Sequence, residues 1–416
     1  MNTTRLYPHL IAILLLILNT YASAQSTHTK DYEVAVYYFP NYHVDSINER
    51  WHGKGWTEWD LVKIAKPRFE GHLQPKVPSW GHFNEADPAW AAKEIDLAAD
   101  NGVDVFIYDW YWYEPFGQYL QEGLEKGFLK APNNHRLKFA LMWANHNWMN
   151  IHPTPYTNVQ EKLTDGRVSA QTWNTITDYI IEHYFKQPNY WKIDGKPYFS
   201  IFETTRFIES FGSIEKAGAA MQLFEDKVKK AGFPGLHFNC IDQGITDNSL
   251  QHALQNNATA AEAFTALHTA SITSYNFLYA YDLSKAGWPT ASYRDAVSSN
   301  TSYWRTISNK YKNMEYYPNV TMGWDVTPRL IQSDKFDSFK GYPWVPVFNG
   351  DNTPEAFESA LIKAKNFLDS TRYKHKIIIL NAWNEWTEGS YLLPEKRTGT
   401  KYLEAVKHVF GSTMNK

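Results

Sequence analysis

Two glutamates three residues apart, Glu385 and Glu388, stand in the run Asn381-Ala-Trp-Asn-Glu-Trp-Thr-Glu-Gly389. Cleaving a sugar–oxygen bond needs such a pair, because one carboxyl gives a proton to the leaving oxygen and another accepts one. The plain alternative is a capped strand-to-loop turn with surface glutamates, but polar turns are seldom so rich in Trp and Asn. If both carboxyls share a pocket, their charges oppose joint ionisation and one proton affinity must rise. Trp383 and Trp386 are expected to divide their labour, one walling the site and the other packing behind it.

The same chemistry is offered elsewhere in the chain. Asp109 and Glu203 are carboxylates for substrate contact or for a structural ion pair. Asn145, Asn147, Asn381 and Asn384 suit hydroxyl recognition, since an amide donates and accepts together, though each suits bracing a loop equally well. Tyr38, Tyr42, Trp59 and Trp148 offer flat faces to sugar rings, as do Trp143, Tyr275, Trp324 and Trp383, and any one of them also suits a core. His43 and His146 could hold hydroxyls. The Gly- and Trp-rich run 51–59 holds Trp56 and Glu58, and with 66–75 it forms a long loop suited to shaping a site or to serving as a rigid lid.

These residues cluster at the ends of apolar, β-rich runs. Such runs cover 34–39, 104–108, 137–143, 197–202, 236–241, 270–275, 319–324 and 376–380. Between the first two, Asp87-Pro88 reads as a helix start and Asn101-Gly102 as its stop. The stretch 283–318 is long enough for an inserted loop or helix. Eight strands alternating with helical segments predict a single (β/α)8 barrel, whose chemistry gathers at the strands' C-terminal ends. A doubly wound sheet is the alternative, but no Gly-rich phosphate loop follows the first strand.

Residues 1–24 have the pattern of a secretory signal: Arg5, a short apolar core and Ala22-Ser-Ala24 before Gln25. A short segment, 25–32, and a catalytic domain, 33–412, would follow. No other stretch approaches the length of a membrane span. The single Cys240 permits no intrachain disulfide, and the net charge of −3 carries no run that suggests nucleic acid. No H-E-x-x-H or G-x-S-x-G occurs, so neither a metal, another cofactor nor acyl-enzyme chemistry is expected. The 17 Trp and 27 Tyr favour a polysaccharide or oligosaccharide partner.

The segments Tyr37-Tyr-Phe-Pro-Asn-Tyr-His43, 51–59, 66–75, Trp143-Ala-Asn145, Asp194-Gly-Lys-Pro197 and 381–389 resemble the WbsX-type, glycoside hydrolase family 99-like proteins, which are related to endo-α-mannosidases. The likeness is strongest at the two ends of the mature chain. It implies a (β/α)8 barrel that acts on glycans. It also implies that Glu385 is the base taking the proton from the sugar's own 2-hydroxyl, to give a 1,2-anhydro sugar. Glu388 is then the acid, later the base for water, and the group whose proton affinity should rise. The chain departs from the family pattern at His146, where Glu is common, near Trp110, where a His is common, and at Leu393, often acidic. The expectation is therefore a monomeric, exported, periplasmic or secreted glycosidase that cleaves α-linked, manno-configured sugars such as mannose or rhamnose. A glycosyltransferase and a non-catalytic glycan-binding protein are the rivals.

Overall fold

Eight parallel strands close into a barrel, and the closing strand is broken in the middle. The computed structural model describes residues 31–411; the expected signal segment lies outside them. The barrel strands are β1 Glu33–Tyr38, β2 Val105–Tyr113, β3 Lys138–Trp143, β4 Lys196–Ile201, β5 His237–Ile241, β6 Ser271–Thr273, β7 in two halves, Glu315–Tyr317 and Asn319–Thr321, and β8 Ile377–Asn381. β1 pairs with β8 on one side and β2 on the other, and sequential pairing continues from β2 to β6. The first half of β7 pairs with β6 and the second half with β8. Pro318 lies between the halves. It has no N–H to give a ladder, yet its carbonyl still accepts from Ile379 N at 3.1 Å, so the ring closes.

Most crossovers are helical: α1 Pro88–Asp100, α2 Ala170–Ile180, α3 Ile214–Lys230, α4 Ala260–Ala266, α5 Tyr293–Lys310 and α6 Pro354–Ser370, with α7 Lys401–Phe410 after β8. α1 begins as its residues predict, with the Asp87 side chain accepting from Ala89 N and Pro88 in the first turn. The stretch 283–318 holds α5. The β2–β3 connection departs from the repeat, using π and 3-10 turns, Gly123–Gly127 and Phe128–Lys130, in place of an α-helix. Their glycines permit a close approach: a Cβ on Gly127 would lie 2.2 Å from the Glu85 carbonyl oxygen.

The core is nearly continuous from Tyr32 to Phe410, and β1 and β8 are buried almost throughout. Tyr32–Gly411 packs as one unit. Glu94 of α1 is buried among these apolar groups and accepts from the Tyr38 hydroxyl at 3.1 Å and from Trp383 Nε1 at 2.9 Å. Burial, more than those two donors can offset, pushes its carboxyl up to about 8. Cys240 is enclosed in β5, and burial pushes its thiol up to about 12. Among the described residues, no helix is long and apolar enough to cross a membrane.

Candidate active site

A cavity of about 610 Å³ opens at the C-terminal ends of the strands. Strand alternation decides which side chains reach it. In β2, Asp109 and Tyr111 line the cavity, whereas Trp110 turns outward and gives its Nε1–H to the Tyr184 hydroxyl at 3.3 Å. At the end of β3, Met142 and the following Ala144 point in, while Trp143 stacks outward on Trp173 of α2, with centroids 5.3 Å apart.

Glu385 and Glu388 both line the cavity, and both are buried. One guanidinium holds them together. Arg329 Nη2 lies 3.3 Å from Glu385 Oε1 and 3.0 Å from Glu58 Oε1, and Arg329 Nη1 donates to Glu388 Oε1. Burial disfavours the cation, but Tyr342, Glu58, Glu388 and Glu385 more than offset this and hold Arg329 charged. The Tyr342 hydroxyl also donates to Glu388 Oε1, at 2.7 Å. Both contacts fall on the same oxygen, which leaves Glu388 Oε2 to meet a ligand.

Glu385 is braced differently. Its Oε2 is 3.1 Å from the Tyr275 hydroxyl, which is also 2.9 Å from Asp109 Oδ2. A phenol has one proton and can donate to one carboxylate only, so the other contact requires a proton on a carboxyl. Burial is the first cause raising the proton affinity of both Asp109 and Glu385, and the charge of Glu388 adds to it in each. The upward shift thus falls on Glu385, the group read by resemblance as the base. The geometry differs in the same sense, since Glu388 takes donors from both Arg329 and Tyr342 on one oxygen.

Of the other residues expected at the site, His146, Asn147, Trp148, Glu203, Tyr275 and Trp324 line the cavity with Asp109. Glu203 is also paired with Arg206. The rest lie behind the wall. Asn145 clamps the Glu203 backbone through its amide, at 2.8 and 2.9 Å, and Asn384 clamps Phe39 in the same way, at 2.8 Å twice. Their hydrogen bonds are used on the scaffold. Asn381 is fully buried. Tyr38 meets Glu94, and the Tyr42 hydroxyl accepts from Trp386 N at 3.0 Å. His43 bonds Glu85 at 2.8 Å, and Trp59 gives its Nε1–H to the Phe83 carbonyl. Trp56 packs on His52. Glu58 is wholly buried under Arg329.

The two motif tryptophans do not divide as expected, because both are buried and neither lines the cavity. Trp383 packs on Phe106, and Trp386 stacks on Tyr391 at 3.8 Å, turned back by the 3-10 turn Trp386–Glu388. Gly389 ends that turn at φ +65°, where a Cβ would lie 2.7 Å from the Asp325 Cβ. This lets Asp325 N donate to the Glu388 carbonyl.

Segment 66–75 is a brace. Arg68 donates to the carbonyls of Ile331 and Lys335, at 3.0 and 2.8 Å, while His72 and Gln74 hold Asp325 Oδ2, at 3.0 and 2.7 Å. Burial would raise Asp325, but His72, Lys76 and Thr327 outweigh it and hold the carboxyl near 2. The brace thereby fixes the loop after β7 that carries Arg329.

Arg329, Tyr342, His152 and Tyr111 belong to the site and were not read from the sequence. The one available signal for Arg329 was its place in Thr327-Pro-Arg329, just past the strand end at Asp325. His152 stacks on Trp148, and Trp148 on His146, at 5.7 and 5.8 Å. Burial lowers both imidazoles, so they stay neutral beside Arg329. Among the described residues, no group of three or more His, Cys, Asp or Glu is placed to hold a metal ion.

A family model described as Glycosyltransferase WbsX matches residues 34–406. The chain belongs to that family. Among curated proteins, the WbsX-family chain is 24% identical over 386 residues to the uncharacterized protein WxcX of Xanthomonas campestris pv. campestris, covering 90% of this chain and 49% of the relative. It thus spans about half the length of the curated relatives it matches. Among solved structures, it is similar to the GH99 endo-alpha-mannosidase from Bacteroides thetaiotaomicron in complex with BIS-TRIS-propane (TM-score 0.52, 15% identity, 91% of this chain and 95% of that one). It is similar also to a glycoside hydrolase-like protein (TM-score 0.55, 15% identity, 92% and 95%). These likenesses show a glycosidase-type (β/α)8 fold.

Proposed function

We propose that this WbsX-family protein hydrolyses α-linked glycosidic bonds to a manno-configured sugar, mannose or rhamnose, in a polysaccharide. The observation that carries the reading is the pair Glu385 and Glu388, held by one guanidinium at the wall of a single cavity. In the proposed route, Glu385 takes the proton of the 2-hydroxyl and O2 attacks C1. The bond from C1 to the leaving oxygen breaks as Glu388 gives that oxygen a proton. Water then attacks C1 and gives a proton to Glu388, the C1–O2 bond opens, and O2 recovers its proton from Glu385. A carboxylate with raised proton affinity is the stronger base once ionised, which suits Glu385 to an alcohol. Arg329 and Tyr275 supply donors to its ionised form.

The family's description as a glycosyltransferase supports a second reading. The cavity's charge argues against it. Among the described residues that line the cavity, Arg329 is the one Lys or Arg, and three carboxylates already surround it. The diphosphate of a nucleotide-sugar donor would find acids there instead of counter-charges.

The test compares two variants on two leaving groups. Glu388→Gln should lose at least about 10²-fold on substrates with poor leaving groups and retain some activity on a glycosyl fluoride, whose departure needs no protonation. Glu385→Gln should lose both. If both variants keep the wild-type ratio, the acid and base lie elsewhere. If the wild type releases sugar only from a nucleotide donor, the transferase reading takes its place.

A further inference from the structure

Tyr342 has two faces that the proposed chemistry leaves unused. Its hydroxyl reaches inward to Glu388 Oε1, at 2.7 Å, and accepts from Arg329 Nη1. Yet the residue is 38% exposed, lines the cavity, and sits with its ring centroid 6.2 Å from that of Trp324. It is therefore a flat surface at the mouth, attached through its own hydroxyl to the proposed acid.

The backbone holds it there firmly. Tyr342 stands in a tight loop where Lys340 N donates to the Trp344 carbonyl at 3.0 Å and Trp344 N donates to the Gly341 carbonyl at 2.7 Å. Gly341, at φ +85°, takes the left-handed conformation this turn requires. Trp344 is wholly buried in a small cluster with Leu330 and Phe336. From the loop after β3, Gln160 Nε2 donates to the Tyr342 carbonyl at 2.6 Å and Asn158 to the Lys340 carbonyl at 2.7 Å. These anchors hold the ring at the rim, where its hydroxyl lies between Arg329 and Glu388.

We infer that Tyr342 forms the subsite for the leaving part of the glycan and aims the acid at it. The inference rests on the hydrolase reading. Glu388 must protonate the leaving oxygen, so the leaving sugar passes close to the acid, and Tyr342 is the exposed aromatic bonded to it. The ring stacks on a neutral sugar on the leaving side. The hydroxyl occupies Oε1, so that Oε2 carries the proton towards the glycosidic oxygen. The subsite's ligand class is thus a neutral pyranose, and a bound sugar and the acid's orientation are coupled through one side chain.

The experiment uses the full mature protein, Tyr342→Phe and Tyr342→Ala, with an unactivated oligosaccharide and the matching glycosyl fluoride. Tyr342→Phe keeps the ring, so its KM on the oligosaccharide should match wild type while kcat falls about 10-fold, the scale of one charge-assisted hydrogen bond. Its rate on the fluoride should fall much less than on the oligosaccharide, because departure of fluoride needs no proton from Glu388 and only the later attack of water still uses it. Tyr342→Ala should in addition raise KM about 10-fold on the oligosaccharide and leave KM on the fluoride unchanged, since only the first has a sugar to stack. A merely structural Tyr342 would lower both substrates alike, and that result overturns the inference. If the wild type cleaves neither substrate, the hydrolase reading fails and calorimetry on the oligosaccharide decides. Equal affinity of wild type and Tyr342→Ala then removes the subsite, whereas weaker binding to Tyr342→Ala retains it.

Discussion

Three carboxylates converge on Arg329, and the site's stability follows from that one cation. Removing it leaves Glu58, Glu385 and Glu388 buried without a counter-charge. Arg329→Met is predicted to cost about 3–5 kcal/mol near pH 7.5, the scale for breaking a buried ion pair by removing one partner. The carboxyls of the variant would hold their protons more tightly than in the unfolded chain. Its deficit should therefore shrink as the pH falls towards 5. Denaturant unfolding at the two pH values checks this, and a deficit that does not change with pH would remove the charge argument.

At the scale of elements, α1 is joined to β1 and to the segment just after β8 by a buried acid. Glu94 receives the Tyr38 hydroxyl and the Trp383 indole, and burial places its carboxyl near 8 against an ordinary value near 4.5. Between those values the folded chain binds the proton that the unfolded chain has lost. The contribution of Glu94 to stability must then fall as pH rises from 4.5 through 8, by at most about 1.4 kcal/mol per pH unit, and level off above. Glu94→Gln imitates the protonated acid and lacks this slope. The difference in unfolding free energy between variant and wild type should therefore move in the variant's favour from pH 5 to pH 9. A constant difference would mean that Glu94 ionises normally.

The elements also show what the chain's own pattern can reveal. Apolar runs marked the eight barrel strands, because burial on both faces leaves a continuous signal. The first half of β7, Glu315–Tyr317, was missed, since Glu315 and Pro318 interrupt the run on either side. The absent helix between β2 and β3 was not foreseen either. Glu385 and Glu388 were legible because type and spacing coincide in one turn. Trp143 and Trp383 were drawn to the site by their place at strand ends, yet both point away into the packing. Arg329 and Tyr342 come from irregular loops, and Arg329 meets Glu58 across 271 residues of chain. No local pattern encodes such a contact.

For the whole molecule, residues 1–24, which have the pattern of a secretory signal, lie outside the described residues. We propose export with cleavage after Ala24. Mass spectrometry of the protein from its native host should find an N-terminus at or within a few residues of Gln25, and an intact Met1 would refute the proposal.

The single thiol of this chain has a use in the laboratory. Cys240 lies fully enclosed in the middle of β5, between β4 and β6. A thiol-reactive dye should leave the folded protein untouched and label it only when that part of the barrel opens. The labelling rate is then a native clock for opening, with no engineered probe and no second cysteine to confuse it.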